Sequence, residues 1–468
     1  MTASEHTILH IGLGAFHRAH QALYLNHLRA LGDSRWSIVG ANIRNDTAVT
    51  MAALIAQGGQ YTLETVTPAG ERAYEHISAI RDVIPHEPSH AELIAVGADP
   101  GTRIISFTVT EAGYYLDNHN RLDTAYSDVA ADLEGRCVVT IYGAITAVLR
   151  LRMQRDAGPV TLLNCDNLRS NGDRFRAGLL DFLARRNESA LAAWVQAHTT
   201  CPNAMVDRIT PRPPADLVAR VKAATGVDDG AAVMGESFIQ WVIEDRFAAG
   251  RPAWERVGVE FVSSVHAHEE AKIRVLNATH SCIAWAGTLR GLSYIHEGLM
   301  DPEIRQLAFD YVTDDVIPCL DTPEQPCPID LAAYRDVVLD RFSNPHLHDT
   351  NQRVAMDGFS KIPGFIAPTL RQCLARGASI AATAMLPALF FAVLGRWHRG
   401  ELAYAYQDGV MDTATGHAIF NAVDPLAAFA AHAMLWGDLA GNASLLAALR
   451  VASGRVMSFT PAVVVSAT

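Results

Sequence analysis

Residues 272–280 read Lys-Ile-Arg-Val-Leu-Asn-Ala-Thr-His, which sets an amine, an amide and an imidazole within nine residues of otherwise apolar chain. At about 100° per residue, a helix places Lys272, His280 and Asn277 near 0°, 80° and 140° on the wheel, with Glu269 near 60°. An amine in such company can take a proton from an alcohol, while an amide and an imidazole hold the oxygen left behind. A helix whose polar stripe simply faces water would carry the same letters.

Other polar groups stand where chemistry could use them. Asn164-Cys165-Asp166-Asn167 closes an apolar run that reads as a strand. Polar side chains at the carboxyl end of a parallel strand point toward a ligand crevice, and Asn167 could donate to an alkoxide, although Asn and Asp also favour turns. Thr108-Val109-Thr110-Glu111 closes another strand in the same way. Asp207 and Arg208 sit side by side in apolar sequence, and fit either a structural ion pair or a substrate contact. Arg353 and Lys361 are eight residues apart and could hydrogen-bond a polyhydroxylated substrate or lie on the surface. His17 and His20 have a spacing compatible with a metal, but no third ligand stands in an obvious place, and no metal is expected. Asn277-Ala-Thr279 matches a glycosylation sequon that a cytoplasmic chain would not use.

A scaffold must position these groups. The chain has 468 residues, too many for one core, and two domains are expected. Apolar content of 49% and charged content of 19% describe a soluble globular protein. A net charge of −12 argues against nucleic acid or an anionic membrane as partner. The seven cysteines form no Cys-x-x-Cys pair, so a reducing cytoplasm fits better than a disulfide framework. The first residues are read as lacking a secretory leader. Residues 378–395 are apolar enough to suggest a membrane span, but Pro387 and the flanking cations favour a buried core helix.

Strands are expected at residues 7–11, 36–41, 103–110 and 160–164, with helices between them, notably 15–31 and 128–155. That alternation implies an open parallel sheet. From about residue 272 the pattern is helical, broken by turns at Pro318, Pro323 to Pro328, Pro363 and Pro368. The expected architecture is α/β: a Rossmann-type domain over 1–270, then a mostly α-helical domain over 271–468.

Gly12-Leu-Gly14, after the first strand and before a helix, opens a dinucleotide fingerprint. The glycines let backbone approach a pyrophosphate, and a helix N-terminus favours its charge. The third glycine is replaced by His17. Asp46, a few residues late for the usual spacing, is the candidate acid for a ribose 2′-hydroxyl, which favours NAD. Arg44 nearby would do the opposite, and Asp46 could instead cap the helix starting at Thr47.

Together these segments resemble the mannitol dehydrogenase family of polyol-specific long-chain dehydrogenases. The matching stretches are Gly12 to His20, including Phe16 and His17; Thr108 to Glu111; Cys165 to Asn167; Met205 to Pro211; Lys272 to His280; and Arg353 to Pro363. They follow family order through nearly the whole chain. The resemblance implies NAD-dependent, metal-free, reversible oxidation of a secondary alcohol in a polyol to a ketose. Lys272 would be the general base, Asn167 and Asn277 the oxyanion hole, and His280 the residue that orients the reacting oxygen. Asp207, Arg353 and Lys361 would contact substrate hydroxyls. Glu269 and Glu111 would tune Lys272 or relay its proton. Gly12, Gly14, Phe16, His17, Asp46, Thr110 and Glu111 would line the cofactor. A small polyol or ketose would be the partner, to a monomer or weak oligomer.

Free lysine has a pKa near 10.4, so a lysine base needs surroundings that disfavour its ammonium, such as burial and a nearby positive nicotinamide. Two readings outside this class stay open from the residues alone: a metal-dependent hydrolase or lyase built on His17 and His20, and a nucleotide sensor without catalysis.

Overall fold

The computed structural model describes residues 5–116 and 121–459. It divides into two compact units, Met1–Thr67 with Glu71–His266, and Pro68–Gly70 with Ala267–Thr468.

The first unit carries twelve strands: β1 (His6–Ile11), β2 (Trp36–Ala41), β3 (Tyr61–Val66), β4 (Arg72–Ile77), β5 (Ile80–Val83), β6 (Thr102–Phe107), β7 (Val160–Asn164), β8 (Thr199–Thr200), β9 (Ala204–Asp207), β10 (Val233–Glu236), β11 (Gln240–Glu244) and β12 (Glu260–Val262). Six of them form one sheet in the order β5-β2-β1-β6-β7-β8, parallel at every pairing. Successive side chains enter opposite cores. Ile8, Ile38 and Ile104 belong to one apolar cluster, and Leu9, Val39 and Ile105 to the other. Both faces are covered, which is why these strands read as continuous apolar runs rather than as alternation. The chain leaves β1 for β2 on one side and later adds β6 on the other, so β1 and β6 flank the switch point where such sheets bind ligands.

Two small three-stranded sheets, β10-β3-β4 and β12-β11-β9, were not anticipated from the sequence pattern. Each contains one antiparallel pair.

Three expected elements break for identifiable reasons. The helix expected over 15–31 is two segments, Ala15–Ala19 and Gln21–Ala30, separated at His20. The carbonyls of Arg18 and Ala19 are taken by the Tyr61 hydroxyl and the Arg208 guanidinium, which compete with the helical bonds. The strand expected to reach Thr110 stops at Phe107. Beyond it Thr110 adopts φ +66°, outside any strand. The helix expected over 128–155 is Ser127–Leu133 followed by Ile141–Gln154. Asp132 accepts hydrogen bonds from Val139 N, Thr140 N and Thr140 Oγ1 and so turns the chain, after which the Thr140 hydroxyl caps the second helix.

The second unit is helical. Its opening rod runs from His266 to Arg290, with the π-helical segment Lys272–Asn277 inside it. Helix Ala381–His398 packs on Ala278–Arg290 and on Ala443–Phe459. Leu386, Pro387, Leu389 and Phe390 on it are buried. The apolar stretch near 378–395 is therefore a core helix. Among the described residues no helix is long and apolar enough to cross a membrane.

Candidate active site

In the first unit the candidate residues sit on loops at the carboxyl ends of the parallel strands. Gly12 has φ +95°, and a Cβ there would lie 2.0 Å from the Thr108 carbonyl oxygen. Only glycine fits this crossing of the β1 and β6 exits. Gly14 has an open face: a Cβ there would meet nothing nearer than the Gly12 carbonyl oxygen at 3.8 Å. Backbone stripped of side chains on an open face is what a dinucleotide phosphate needs, so these residues fit the expected cofactor. The helix behind them is a single five-residue segment rather than the long helix expected, so its dipole adds less than anticipated.

His17 does not face outward. It is buried, with its ring stacked on His10 at 3.4 Å between centroids. Burial holds it well below its usual pKa, with His10 and His20 adding to the effect, so it stays neutral and forms the floor of the loop. His10 lies between Ser106 Oγ (2.9 Å), the Gly12 carbonyl (3.2 Å) and Thr108 Oγ1 (3.2 Å). Phe16 is half-buried and stacks on His20. His20 Nε2 donates to the Gln240 carbonyl at 2.9 Å. Among the described residues no group of three or more His, Cys, Asp or Glu is placed to hold a metal.

Asp46 lies exposed in the turn between β2 and helix Ala48–Ala56, and Thr47, not Asp46, is the capping position of that helix. Asn42 ties this turn to the glycine loop: its Oδ1 accepts from Leu13 N at 2.6 Å and its Nδ2 donates to Thr47 Oγ1 at 2.7 Å. Arg44 is paired with Asp128 and Tyr115.

The exits of β6 and β7 are joined by Asp166. Its carboxylate accepts from Val109 N (3.0 Å), Thr110 N (2.9 Å) and the Tyr114 hydroxyl (2.5 Å). Burial pushes this carboxyl up from its usual range, against the three hydrogen bonds that favour its charge. These bonds hold Thr110 in its left-handed conformation, which costs on the order of 1–3 kcal/mol for a residue with a side chain. Glu111 opens the short 3-10 turn that follows, and its side chain lies outside the described residues. Asn167, one residue beyond Asp166, is exposed at the end of β7. Asp207 is buried as the last residue of β9, opposite Gln240. The Arg208 guanidinium turns instead to the carbonyls of Glu236 and Ala19.

In the second unit the decisive feature is the π segment Lys272–Asn277. A π turn inserts one residue, at about 80° per residue instead of 100°. Counted through it, Lys272, Asn277 and His280 fall near 0°, 40° and −20°, an arc of about 60° where a regular helix would spread them over about 140°. The wheel of an unbroken α-helix is thus corrected: the insertion gathers amine, amide and imidazole onto one stripe. Lys272 and Glu269 are buried, and Asn277 and His280 half-buried, so this is no solvent-facing stripe. Arg274 fastens the turn from behind by donating to Glu270 (2.7 Å) and Gln372 (2.6 Å). Two more π segments, Tyr311–Val316 and Ile362–Ile366, pack against it. Pro363 denies the last one a helical N–H, a direct cause of irregularity.

Lys361 immediately precedes that third segment and donates to the Val354 carbonyl at 2.5 Å. Arg353 is largely exposed and binds Asp349 Oδ1 through Nε (2.9 Å) and Nη2 (2.6 Å). His280 Nε2 meets the other oxygen, Asp349 Oδ2, at 3.0 Å. Burial lowers the His280 pKa, and the Asp349 carboxylate opposes the shift. Lys272, Asn277 and His280 are therefore brought together, and Arg353 is joined to His280 through Asp349. Asp349, Asp166, Asn42 and His10 were not singled out from the sequence. For His10, Asn42 and Asp166 the one visible signal is a polar residue just after, or inside, an apolar run, whereas Asp349 lies in a polar stretch and carries no such signal.

Two family models cover this chain: the mannitol dehydrogenase Rossmann domain over residues 6–256 and the mannitol dehydrogenase C-terminal domain over 264–456. The chain belongs to the mannitol dehydrogenase family. It is a polyol dehydrogenase, an oxidoreductase acting on CH–OH groups. The D-arabinitol 4-dehydrogenase of Ralstonia nicotianae is 62% identical over 457 residues, covering 97% of both chains. That of Klebsiella pneumoniae is 57% identical over 447 residues, covering 96% of this chain and 97% of its own. Among solved structures, Pseudomonas fluorescens mannitol 2-dehydrogenase in ternary complex with NAD and D-mannitol superposes with TM-score 0.84 at 33% identity, covering 97% of this dehydrogenase and 92% of that chain.

Proposed function

We propose that this polyol dehydrogenase oxidises D-arabinitol to D-xylulose, reversibly, with NAD and without a metal, in the cytoplasm and as a monomer or weak oligomer. The observation that carries the substrate is the 62% identity, along 97% of the chain, to a D-arabinitol 4-dehydrogenase. NAD, when bound, takes up the hydride from the alcohol carbon.

Lys272 is the proposed general base. Taking an ammonium out of water is costly, so its burial works toward the free amine that accepts the hydroxyl proton. Asn167 and Asn277 donate N–H groups to the oxygen as charge develops on it. Losing one such donor costs about 3 kcal/mol of transition-state stabilisation. His280 orients the same oxygen. Asp207, Arg353 and Lys361 bind the remaining hydroxyls, and their charges suit a substrate that is rich in hydrogen-bonding groups and carries no charge of its own. Gly12, Gly14, Phe16, His17, Thr110 and Glu111 shape the cofactor loop, and Asp46 meets the ribose hydroxyls. In the reverse direction the lysine ammonium stabilises the oxyanion, so no Lewis acid is needed.

D-Mannitol is the second reading, favoured by the structural neighbour that holds it. NAD reduction is measured against D-arabinitol, D-mannitol and other polyols, and NADH oxidation against fructuronate. D-Arabinitol is expected to lead D-mannitol in kcat/KM by at least about tenfold, the discrimination available from one well-placed contact. A higher value for mannitol or fructuronate would overturn the substrate. Dialysis against a chelator is expected to leave activity intact, and a loss restored by a divalent metal would overturn the metal-free scheme.

A further inference from the structure

The His280–Asp349–Arg353 chain has a geometry that the roles above do not use. The His280 ring is held in two ways. Its plane is fixed by stacking on Phe342, 4.3 Å between centroids and 18° apart. Its rotation within that plane is fixed by the 3.0 Å contact from Nε2 to Asp349 Oδ2. The carboxylate is itself locked, because Arg353 occupies its other oxygen with two N–H groups. The backbone beneath is anchored too. The Asp349 carbonyl accepts from Ile295 N at 2.9 Å, and the neighbouring Thr350 hydroxyl caps helix Asn351–Ala355.

We infer that Asp349 is a positioning residue of the reaction, which holds His280 as the Nε2-protonated tautomer and so presents the Nδ1 lone pair to a polyol hydroxyl next to the reacting one. An ionised carboxylate can only accept, so the nitrogen facing it must carry the proton. Burial keeps the ring otherwise neutral, which leaves Nδ1 as an acceptor. The carboxylate itself stays ionised. Burial would raise it, but the His280 hydrogen bond and the Arg353 charge hold it down to about 2. The labour around the reacting carbon is thereby divided. Asn167, Asn277 and the lysine ammonium are donors, suited to an oxyanion. His280 is an acceptor beside them, suited to a second hydroxyl of the polyol, and leaves the reacting hydroxyl's own proton to the Lys272 amine. Without the carboxylate the imidazole is free to place its proton on Nδ1, where it could no longer accept from that second hydroxyl.

The inference rests on the reading of His280 as a residue that orients the reacting alcohol, and the test separates the two. Histidine-¹⁵N-labelled enzyme, with ring signals assigned by comparison with His280→Gln, is expected to show protonated Nε2 and bare Nδ1 for His280 near pH 8. Asp349→Asn is expected to shift that ring to a tautomer mixture. It should lower kcat for the fastest polyol of the panel by 10- to 100-fold, roughly the loss found when a carboxylate partner of a functional histidine is removed. NADH affinity should move by less than about threefold, since it does not depend on the tautomer. A wild-type ring protonated on Nδ1 overturns the inference, as does Asp349→Asn with Nε2 still protonated and kcat unchanged. Where Asp349→Asn fails to fold, the wild-type tautomer decides alone. Wild-type turnover in His280→Gln would instead sink the underlying assignment of His280. An inactive His280→Gln beside a fully active Asp349→Asn sinks only the role of Asp349.

Discussion

His10 in the first unit is buried and His280 in the second half-buried, and the sharper difference lies in what they touch. His10 is surrounded by a serine hydroxyl, a threonine hydroxyl and a backbone carbonyl, all neutral. Burial drives its pKa down to about 3, against the hydrogen bond it donates to the Gly12 carbonyl, which raises it, so it never carries charge under working conditions. It is a prop for the crossing of β1 and β6. His280 faces a carboxylate that resists the same burial and fixes its tautomer. A buried histidine with neutral partners holds backbone in place, whereas one with a carboxylate is poised for proton chemistry. The contrast extends to the units. The first secures strained loops, Gly12 and Thr110, for binding. The second bends a helix through a π turn to gather reactive groups.

Predictions follow from that division of labour, largest effect first. Lys272→Ala should remove most turnover in both directions, by about 10²–10⁴-fold, the range for a lost general base. NADH binding, followed by fluorescence titration, should persist, and near-wild-type turnover would break the assignment of chemistry to the second unit. Gly12→Ala should do the converse. A methyl 2.0 Å from a carbonyl oxygen at φ +95° forces the loop apart. The strain is on the order of 1–3 kcal/mol or more, read as a lowered unfolding midpoint and NADH affinity weakened by about tenfold. Unchanged NADH affinity would show that the loop does not carry the cofactor.

The third prediction separates the histidines by pH. His10 has a folded pKa far below its unfolded value, so its contribution to stability is complete above about 6.5 and is lost as pH falls toward 3. Asp349 behaves oppositely in origin, since its stabilisation is present above the usual carboxylate range and is lost only as pH drops toward 2. Urea unfolding at pH 7.5 and pH 5 should therefore differ by up to about 2 kcal/mol for His10 alone, at about 1.4 kcal/mol per pH unit. His10→Gln should flatten that dependence, and an equal slope in the variant would refute the buried-prop account. The smallest effect belongs to Asp46→Ala, which should narrow the NAD-over-NADP preference in kcat/KM by a few-fold, about 1 kcal/mol for an exposed site. An unchanged ratio would place the discriminating acid elsewhere.

The strands at 36–41 and 160–164 were legible because a parallel sheet covered on both faces demands unbroken apolar runs, and β1, β2 and β7 match their expected spans closely. Lys272, Asn277 and His280 were legible because polar groups in an apolar run are conspicuous. Less visible were the points where distant residues override local pattern. The 15–31 helix breaks because Tyr61 and Arg208 take its carbonyls. The 103–110 strand ends early and Asp166, far along the chain, holds Thr110 in its strained conformation. The two small sheets include β3 and β4, as long as β1 and β2, but polar residues interrupt them and they lack an unbroken apolar run.

The resemblance of the motifs, in their order, pointed to the family, and apolar periodicity to the α/β-then-helical plan, because each is written in residue type and short-range spacing. Tertiary structure alone decided that a π turn narrows the stripe of Lys272, Asn277 and His280, that His17 is buried against His10, and that Asp349 pairs with His280. Those outcomes depend on hydrogen bonds and packing between segments dozens of residues apart, and nothing in a neighbour-by-neighbour reading encodes which distant group will arrive.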